Sequence, residues 1–469
     1  MLFNSFEFLI LLALTFSVYY LPKVNKYQIS LLIIASLIFY SFENYKLLIL
    51  LLFSAGINVV TSYYVVFGNS KHRKAMALSG IIVNLAILAF FKYSKLIALT
   101  FADPSESIGR FLIQVPLPIG ISFFTFEGIS LVIDVWKEKY VSNKQIVSKS
   151  FFRHAQRTLF FISFFPHLVA GPILKAHDFF PQMKQKFFKD IRWEAAMKAL
   201  IIGYFLKMVV ADNLKDFTHW SDISTTLASP TLFTLMIGYS FQIFADFAGY
   251  SLIAIGLAKL FGYEFNQNFN FPYIATSFKD FWKRWHMSLS SFLMEYLYFP
   301  LGGNRKGKVR TYINLIITMT LGGLWHGAAW SFAFWGFFHG TALAIERFIT
   351  GNTEQSINNK VLIILKGILV FLVVSILWIP FRMSFDDSLI FMGSMVSNIQ
   401  QSLTAYDIHI IVAILIYSLP VIVYHIAYLC RNSIAFPYFR KVEYIFYAFM
   451  ALLILTNSGS SGAFIYFQF

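Results

Sequence analysis

The chain has 469 residues, of which 58% are hydrophobic and only 13% are charged. Soluble domains carry about 25% charged residues. A helix that crosses a bilayer needs about 20 apolar residues, and apolar runs recur along nearly the whole sequence. This pattern excludes a series of soluble domains and predicts an all-α polytopic membrane protein. Because the chain has one cysteine, Cys430, an intramolecular disulfide and a multi-cysteine metal site are also excluded.

The formal net charge of +15 could suggest a nucleic-acid partner. The basic residues, however, fall in short loops between apolar segments, which is the pattern of the positive-inside rule. We therefore expect no nucleic acid. The expected partners are membrane lipids with anionic headgroups and anionic cytoplasmic substrates.

The first apolar run extends from Phe8 to Leu21. No basic residue precedes it and no small-residue cleavage site follows it, so it predicts a first membrane segment and not a removed signal peptide. If the basic loops face the cytoplasm, the alternation predicts about twelve crossings, with both termini outside. The basic loops are Lys23–Lys26, Lys71–Lys74, Lys137–Arg157, Lys184–Arg192, Lys279–Arg284, Arg305–Arg310 and Arg431–Lys441; the acidic or lysine-free loops are Ala102–Ser107, Asp216–Ser229 and Ser384–Asp407.

Two apolar stretches, 158–180 and 286–300, break this alternation because each lies between two basic loops. Both are predicted to be re-entrant or interfacial. Irregular backbone at membrane depth persists only where protein buries it or a water-filled cavity solvates it, so two such stretches predict a cavity. Segment 28–42 is short for a crossing, and 311–349 fits either two short spans or one broken span.

His326, in Leu-Trp-His-Gly (324–327), lies within the apolar stretch from Thr311 to Phe338. An ionisable side chain at membrane depth is a functional-site hypothesis by default. Histidine also exchanges protons near neutral pH, since its unperturbed pKa is about 6.5. The alternative is a structural histidine whose ring bonds to a backbone carbonyl or to a neighbouring helix.

His286 closes Asp-Phe-Trp-Lys-Arg-Trp-His (280–286) and opens the second re-entrant stretch. In this motif Trp285 suits a membrane interface, and Arg284 suits headgroups or an anionic substrate. His339 follows His326 by thirteen residues in another apolar stretch. Because the histidine spacings do not match the short i, i+4 zinc pattern, no metal site is predicted. Of the other histidines, only His167, on the first re-entrant stretch, could line the cavity, and packing explains it equally well.

Asp246 is an acid inside the apolar segment 241–251, and Gln242 lies one turn earlier on the same helix face. It could orient a histidine or a substrate hydroxyl, or it could be an interhelical hydrogen-bonding residue. No phosphate-binding loop, dinucleotide glycine pattern or Gly-x-Ser-x-Gly elbow is present in the sequence. The sequence therefore predicts no nucleotide hydrolysis.

Together these motifs resemble the membrane-bound O-acyltransferase family, and within it the bacterial alginate and peptidoglycan O-acetyltransferase branch. The resemblance covers almost the whole chain. Its most specific part is the pair of histidine motifs with a Gly-Gly-Asn-Arg loop between them. The matching stretches are 116–127, 164–173, 268–273, 281–290, 296–305, 321–330 and the closing Phe-Ile-Tyr-Phe-Gln-Phe, 464–469.

The resemblance implies a single membrane domain over 1–469, with a catalytic core at about 115–350 and a ring of helices around a central funnel. It implies that His326 is the catalytic histidine and His286 the second important one. The substrate-binding candidates are Trp325, Trp285, Asp246, Asn304, Arg305 and Arg284. One departure is Met294-Glu295, which stands where relatives often carry Arg-Asp before Tyr-Leu-Tyr, so the acid remains here and its basic partner is absent.

The expected activity is transfer of an acetyl group from cytoplasmic acetyl-CoA, with no bound cofactor, for O-acetylation of a cell-envelope glycan. The expected location is the bacterial inner membrane. An SGNH-type transferase outside that membrane is the expected protein partner. The abundance of Phe, Lys, Ile and Asn hints at an AT-rich genome. Because alginate producers tend to have GC-rich genomes, this favours peptidoglycan over alginate as the acceptor. D-alanyl transfer to teichoic acid, a glycan or lipid transporter, and lipid or protein acylation of the eukaryotic type remain alternatives.

Overall fold

The computed structural model is helical, and no β-strand occurs in the part of the chain that it describes. It describes all residues except 43, 104, 139–141, 170, 219–225, 352–358, 433–435 and 461–469. The predicted closing motif 464–469 lies outside these residues. The chain forms two compact units, Met1–Leu200 with Ile253–Asn266, and Ile201–Leu252 with Gln267–Phe469.

The first unit contains the amino-terminal helices. Two helices contribute residues to both units: α11 (Trp193–Tyr204) and α13 (Ser229–Leu260). The helices within the first unit are α1 (Phe6–Tyr19), α2 (Gln28–Ser41), α3 (Tyr45–Phe67), α4 (Arg73–Phe101), α5 (Ser107–Gln114), α6 (Ile121–Lys137), α7 (Asn143–Ile146), α8 (Phe151–Ser163), α9 (Phe165–Leu168) and α10 (Ala176–Phe179).

Polar side chains join the packed helices of the first unit. The amides of Asn58 in α3 and Asn84 in α4 donate to each other's oxygens, at 3.2 and 2.9 Å. His167 Nε2 lies 3.1 Å from Glu127 Oε1, and both side chains are fully buried. Hydrogen bonds of this kind hold helices together where lipid provides no hydrophobic driving force between them. His167 therefore packs within this unit against a carboxylate.

The first predicted re-entrant stretch is a broken helix. α8 ends at Ser163, and Pro166 stands in the first turn of the short helix α9. Side-chain hydroxyls accept hydrogen bonds from two backbone amides on this stretch. Phe165 N donates to Ser36 Oγ at 3.0 Å, and Ala176 N donates to Ser130 Oγ at 3.3 Å. Irregular backbone is stable here because protein side chains replace the missing helical hydrogen bonds.

The second unit contains the carboxy-terminal helices and two π-helices, Phe205–Ala211 and Met294–Tyr298. In the described part of the two units together, the 3₁₀ helices are Asn25–Tyr27, Ser70–His72, Phe180–Gln182, Phe188–Asp190, Pro272–Ile274, Asn398–Gln400 and Cys430–Asn432. The α-helices are α12 (Asp212–Phe217), α14 (Phe278–Arg284), α15 (Met287–Leu293), α16 (Lys308–His326), α17 (Trp330–Thr350), α18 (Lys360–Arg382), α19 (Phe385–Ser397), α20 (Ala405–Leu429) and α21 (Phe436–Thr456).

Local sequence signals fix the ends of these helices. Thr404 and Asp407 form a reciprocal capping box at the start of α20. Ser277 caps α14, and Glu346 from α17 accepts hydrogen bonds from the next two amides, those of Phe278 and Lys279. The amino-terminal end of α14 is thereby fixed to α17, which places the motif ending in His286 beside the α16–α17 pair.

The predicted fold class, an all-α polytopic membrane protein, is confirmed. Five helical segments of the described residues are long and apolar enough to cross a membrane: Tyr45–Phe67, Ser70–Phe101, Ser229–Leu260, Lys360–Arg382 and Ala405–Asn432. The predicted number of about twelve crossings stays a prediction. Residues 311–349, for which the sequence left one or two spans open, form two helices, α16 and α17, joined by a short turn.

Candidate active site

His326 is the last residue of α16 and has only 3% of its surface exposed. The helix ends here because Gly327 adopts extended backbone, and Phe332 fills the space where a side chain at 327 would lie. Three aromatic rings surround the imidazole. Its centroid lies 5.1 Å from that of Trp325 and 5.3 Å from those of Trp335 and Phe381.

His286 lies between α14 and α15 with φ +43° and ψ +54°, a left-handed conformation. Few residues other than glycine adopt this region, so a histidine there indicates a conformation imposed by its surroundings. The surroundings are a loop that binds the backbone on both sides of His286, and we call it the clamp. Asn270 N donates to Arg284 O and Met287 N donates to Asn268 O, each at 2.9 Å.

The side chain of Asn268 strengthens this clamp. Its Oδ1 accepts hydrogen bonds from Ser288 N at 3.2 Å and from Ser288 Oγ at 2.6 Å, while its Nδ2 donates to Ser251 Oγ at 3.0 Å. Asn268 belongs to the stretch Asn-Phe-Asn-Phe-Pro-Tyr, 268–273. That stretch therefore holds the backbone that orients His286.

The structure brings the two predicted histidines together although 40 positions separate them in the sequence. The ring centroids of His286 and His326 lie 6.1 Å apart. Trp325 packs against His286 at 5.9 Å, and Phe247 from α13 packs edge-on against His286 at 4.6 Å. His286 itself is fully buried. The two imidazole rings therefore lie together in one site whose walls are aromatic side chains.

These aromatic walls continue beyond the histidines. Trp335, Trp378 and Phe381 contact one another, with ring centroids 5.0 to 5.5 Å apart. A site enclosed by such rings excludes water, which strengthens any electrostatic interaction within it. Among the described residues, no group of three or more His, Cys, Asp or Glu side chains is placed to hold a metal ion.

Of the predicted substrate-binding residues, Trp325 lies in this site, whereas Trp285 and Arg284 pack next to it. Trp285 is fully buried and packs against Phe269, Phe281 and Trp378. Arg284 Nε donates to Asp280 Oδ1 at 2.9 Å, and its guanidinium also donates to Asn270 O at 3.2 Å. These contacts support the clamp around His286.

Asn304 and Arg305 are exposed in the loop between the second π-helix and α16. The loop contains Gly302 and Gly303, whose φ values of +112° and +55° favour glycine. Asn314 from α16 anchors the loop by donating to Gly303 O at 2.9 Å. The loop thus presents the amide of Asn304 and the guanidinium of Arg305 to solvent.

Asp246 is engaged by a residue that the sequence motifs did not single out. Lys207 Nζ lies 2.7 Å from Asp246 Oδ1 and 2.7 Å from Asp212 Oδ1, and all three side chains are almost fully buried. Lys207 stands on the π-helix 205–211. A signal was available, because a lysine within the apolar run 195–211 has the same functional weight as a histidine at membrane depth.

Two buried imidazole rings that lie side by side within aromatic walls can perform proton transfer without a metal. One can accept a proton while the other holds a carbonyl oxygen or a leaving group by hydrogen bonding. Such a pair suits acyl transfer, in which a hydroxyl gives up a proton as its oxygen attacks a carbonyl carbon.

Comparison with known families establishes the class. The model of the MBOAT, membrane-bound O-acyltransferase, family matches residues 4–385. The chain belongs to this family and is an O-acyltransferase. The family match covers α16 and its terminal His326, as well as the clamp around His286.

Similar proteins from several bacteria match between 49% and 81% of the chain. The probable alginate O-acetylase AlgI of Pseudomonas aeruginosa is 36% identical over 394 residues, which are 81% of this chain and 72% of that protein. The peptidoglycan O-acetyltransferase of Helicobacter pylori is 35% identical over 375 residues, 75% of this chain and 70% of that protein. The teichoic acid D-alanyltransferase of Bacillus subtilis is 29% identical over 248 residues, 49% of this chain and 59% of that protein.

Proposed function

We propose that this O-acyltransferase transfers an acetyl group from cytoplasmic acetyl-CoA for O-acetylation of a cell-envelope glycan, with His326 as the general base. The observation that carries the proposal is the contact between His326 and His286 in a chain whose relatives include both alginate and peptidoglycan O-acetylating proteins. The basic loops at Lys279–Arg284 and Arg305–Arg310 would attract the anionic donor.

The reaction is the exchange of a thioester for an oxygen ester. His326 takes the proton as the acceptor hydroxyl oxygen attacks the acetyl carbonyl carbon. The resulting tetrahedral intermediate expels the thiolate, which takes up the proton, so the products are an acetyl ester and a free thiol. His286 holds the carbonyl oxygen or the leaving sulfur. Proton transfer by a positioned base contributes about 10²–10⁴ in rate.

Peptidoglycan is the favoured glycan, with alginate or another exopolysaccharide next. The composition favours peptidoglycan, and the similarities to the two kinds of relative are nearly equal, at 36% and 35% identity. Teichoic acid is less favoured, since the D-alanyltransferase of Bacillus subtilis matches only 49% of this chain. We also propose that the protein resides in the bacterial inner membrane and delivers acetyl groups to an SGNH-type transferase beyond it.

The test is a comparison of cells that carry the wild-type chain or His326→Ala. We expect ester-linked acetate on purified peptidoglycan to fall by at least about a hundredfold in the variant, at equal protein level. The matched control is His425→Ala, which removes a buried histidine whose Nδ1 bonds to Val421 O of its own helix. This control should retain normal acetylation.

The other outcomes discriminate the alternatives. Loss of acetate from a secreted polysaccharide alone keeps the mechanism and changes the acceptor. Normal acetylation in cells that carry His326→Ala would show that His326 is not the general base. If wild-type protein consumes no acetyl-CoA but supports D-alanylation of teichoic acid, the donor assignment is wrong.

A further inference from the structure

A surface of lysines and aromatic rings in the first unit lies outside the two-histidine mechanism. It consists of Lys23, Lys26, Lys184, Phe188, Lys189 and Trp193, and all six side chains are exposed. We call it the lysine–aromatic patch. Four of its residues stand on the segment 184–193 and the other two on the turn between α1 and α2. Charge alone marked both loops as basic, and the structure shows that they adjoin.

A buried glutamine joins the two loops. The side-chain Nε2 of Gln28, the first residue of α2, donates to Lys186 O at 2.9 Å, and its Oε1 accepts from Lys186 N at 3.0 Å. The same Nε2 also donates to Tyr19 O, at the end of α1, at 3.2 Å. One side chain thereby ties the segment 184–193 to both ends of the turn between α1 and α2. The lysines of the two loops therefore belong to one continuous surface.

The aromatic rings of the patch pack against the end of an apolar helix. The ring centroid of Phe188 lies 6.3 Å from that of Phe16 and 5.6 Å from that of Tyr20, at the end of the apolar helix α1. It lies 5.5 Å from that of Trp193. These contacts cover only part of each ring, since Phe188 remains 54% exposed and Trp193 42% exposed. Aromatic rings at the end of an apolar helix are typical of the membrane–water interface, where lipid headgroups lie.

The positive charge of the patch is not neutralised by the protein. Among the described residues, none of its four lysines forms an ion pair, whereas two neighbouring cations, Arg192 and Lys259, both pair with Glu264. The segment 184–193 carries four basic residues and one acid, Asp190. The patch therefore suits an anionic partner. Near an anionic membrane surface, each lysine favours association about fivefold.

We propose that the lysine–aromatic patch binds the headgroup of an anionic phospholipid from the surrounding membrane. The four ammonium groups attract the lipid phosphate. The exposed faces of Phe188 and Trp193 pack against the glycerol and the upper part of the acyl chains. The rings favour a lipid over a free anion, because inorganic phosphate gains nothing from exposed aromatic faces. This inference goes beyond the proposed acyl transfer and does not depend on it.

The test uses native mass spectrometry to count the phospholipids bound by the full chain purified in detergent. Phosphatidylglycerol and phosphatidylcholine with the same acyl chains are added separately, at increasing concentrations. We expect the wild type to bind phosphatidylglycerol more tightly. In the double variant Lys184→Gln, Lys189→Gln, the dissociation constant of phosphatidylglycerol should rise at least about tenfold, because two factors of about five are lost. Binding of phosphatidylcholine should not change.

The matched control is the double variant Lys71→Gln, Lys74→Gln, which removes the same charge from another exposed basic loop. It should bind phosphatidylglycerol as the wild type does. Phe188→Ser tests the rings, and it should weaken the binding of both lipids several-fold, because an aromatic face does not distinguish the headgroups. The unfolding temperature of each variant separates a local loss of binding from a loss of structure. Unchanged lipid binding by Phe188→Ser would overturn the proposal, since the surface would then recognise charge alone.

Three further outcomes would overturn the proposal. Equal weakening by the two pairs of lysine substitutions would assign the preference to the net charge of the whole protein. Displacement of phosphatidylglycerol by excess inorganic phosphate, at constant ionic strength, would identify a site for a free anion. No preference for phosphatidylglycerol in the wild type would leave the patch to an acidic protein partner. These results are separate from acetyl transfer, because His326→Ala should bind phosphatidylglycerol as the wild type does.

Discussion

At the scale of single residues, the conformation of His286 matters as much as its imidazole. Its left-handed backbone turns the chain between α14 and α15 and directs the ring toward His326. The clamp from Asn268 and Asn270 maintains this conformation through backbone hydrogen bonds. Replacing His286 therefore removes a chemical group and also tests a strained position.

We expect His286→Asn and His286→Val both to lose acyl transfer, but to differ in stability. Asparagine tolerates the left-handed region, whereas a β-branched residue is a genuine outlier there. The valine variant should be less stable than the asparagine variant by about 1–2 kcal/mol. Thermal unfolding of the purified proteins measures the difference.

The same pair of substitutions at His425, within the regular helix α20, provides the control. Asparagine and valine have nearly equal helix propensity, so their backbone preference should add little difference at that position. An equal Asn–Val difference at positions 286 and 425 would contradict the role assigned to the left-handed backbone.

The sequence predicted the two histidines but not what holds them. The motif around His286 identified the residue, yet its left-handed conformation depends on hydrogen bonds from a loop sixteen to eighteen positions earlier. The contact with His326 joins residues 40 positions apart, which no local spacing reveals. The structure places Trp285 and Arg284 in packing and clamping contacts, and their contact with substrate stays a prediction.

At the scale of elements, α16 and α17 pack through glycines, which lets their backbones touch. A Cβ at Gly323 would lie 2.2 Å from Phe332 O, and one at Gly336 would lie 2.2 Å from Met319 O. Small residues allow this close approach between membrane helices. The close contact fixes the end of α16, and hence the position of His326 relative to Trp335.

Gly336→Ala should destabilise the protein by about 1–3 kcal/mol, because the added methyl group overpacks a backbone contact. It should also lower acyl transfer by displacing Trp335 from His326. Gly393→Ala in α19 is the control, since nothing lies within 4 Å of the added methyl group. The control should be neutral or more stable by up to ~1 kcal/mol. Equal unfolding temperatures for the two variants would refute the packing argument.

The π-helix 205–211 presents Lys207 to two carboxylates in the second unit. Lys207→Met leaves Asp212 and Asp246 buried without their cation, and we expect it to cost about 3–5 kcal/mol of unfolding free energy. Lys198→Met, which breaks a surface pair between the half-buried Lys198 and the exposed Glu194, should cost less than about 1 kcal/mol. Thermal unfolding of both variants would measure the contrast, and a similar small loss in each would show that the buried cluster is not a charged one.

At the scale of the whole molecule, charge and hydropathy predicted the class but not the detailed course of the chain. The recurring apolar runs correctly predicted a polytopic helical protein, and Pro166 marked a real break between helices. The number of crossings is harder to predict, because only five helical segments of the described residues are long and apolar enough to be recognised as membrane spans from hydropathy. Helices buried among others can carry polar residues that lower their hydropathy.

The predicted orientation places the loop at Lys306 in the cytoplasm and the loop at Ser105 outside. Both residues are exposed, as is the native thiol of Cys430. In a Cys430→Ala background, Lys306→Cys should react with a membrane-impermeant maleimide only in inverted vesicles, and Ser105→Cys only in intact spheroplasts. The opposite pattern would reverse the orientation and place the basic loops on the side away from the proposed cytoplasmic donor.

The contact between α16 and α17 also bears on how the protein enters the bilayer during synthesis. With 19 and 21 residues, both are long enough to span, yet neither is among the five apolar segments that meet the hydropathy expected of an independent span. Each also carries a histidine, and an ionisable residue within a membrane segment disfavours partitioning from the translocon into lipid. Because their glycines allow backbone contact, the two helices can leave the translocon as a preformed hairpin that shields both imidazoles from lipid. His326 would then reach the membrane only after the helix that follows it has been made.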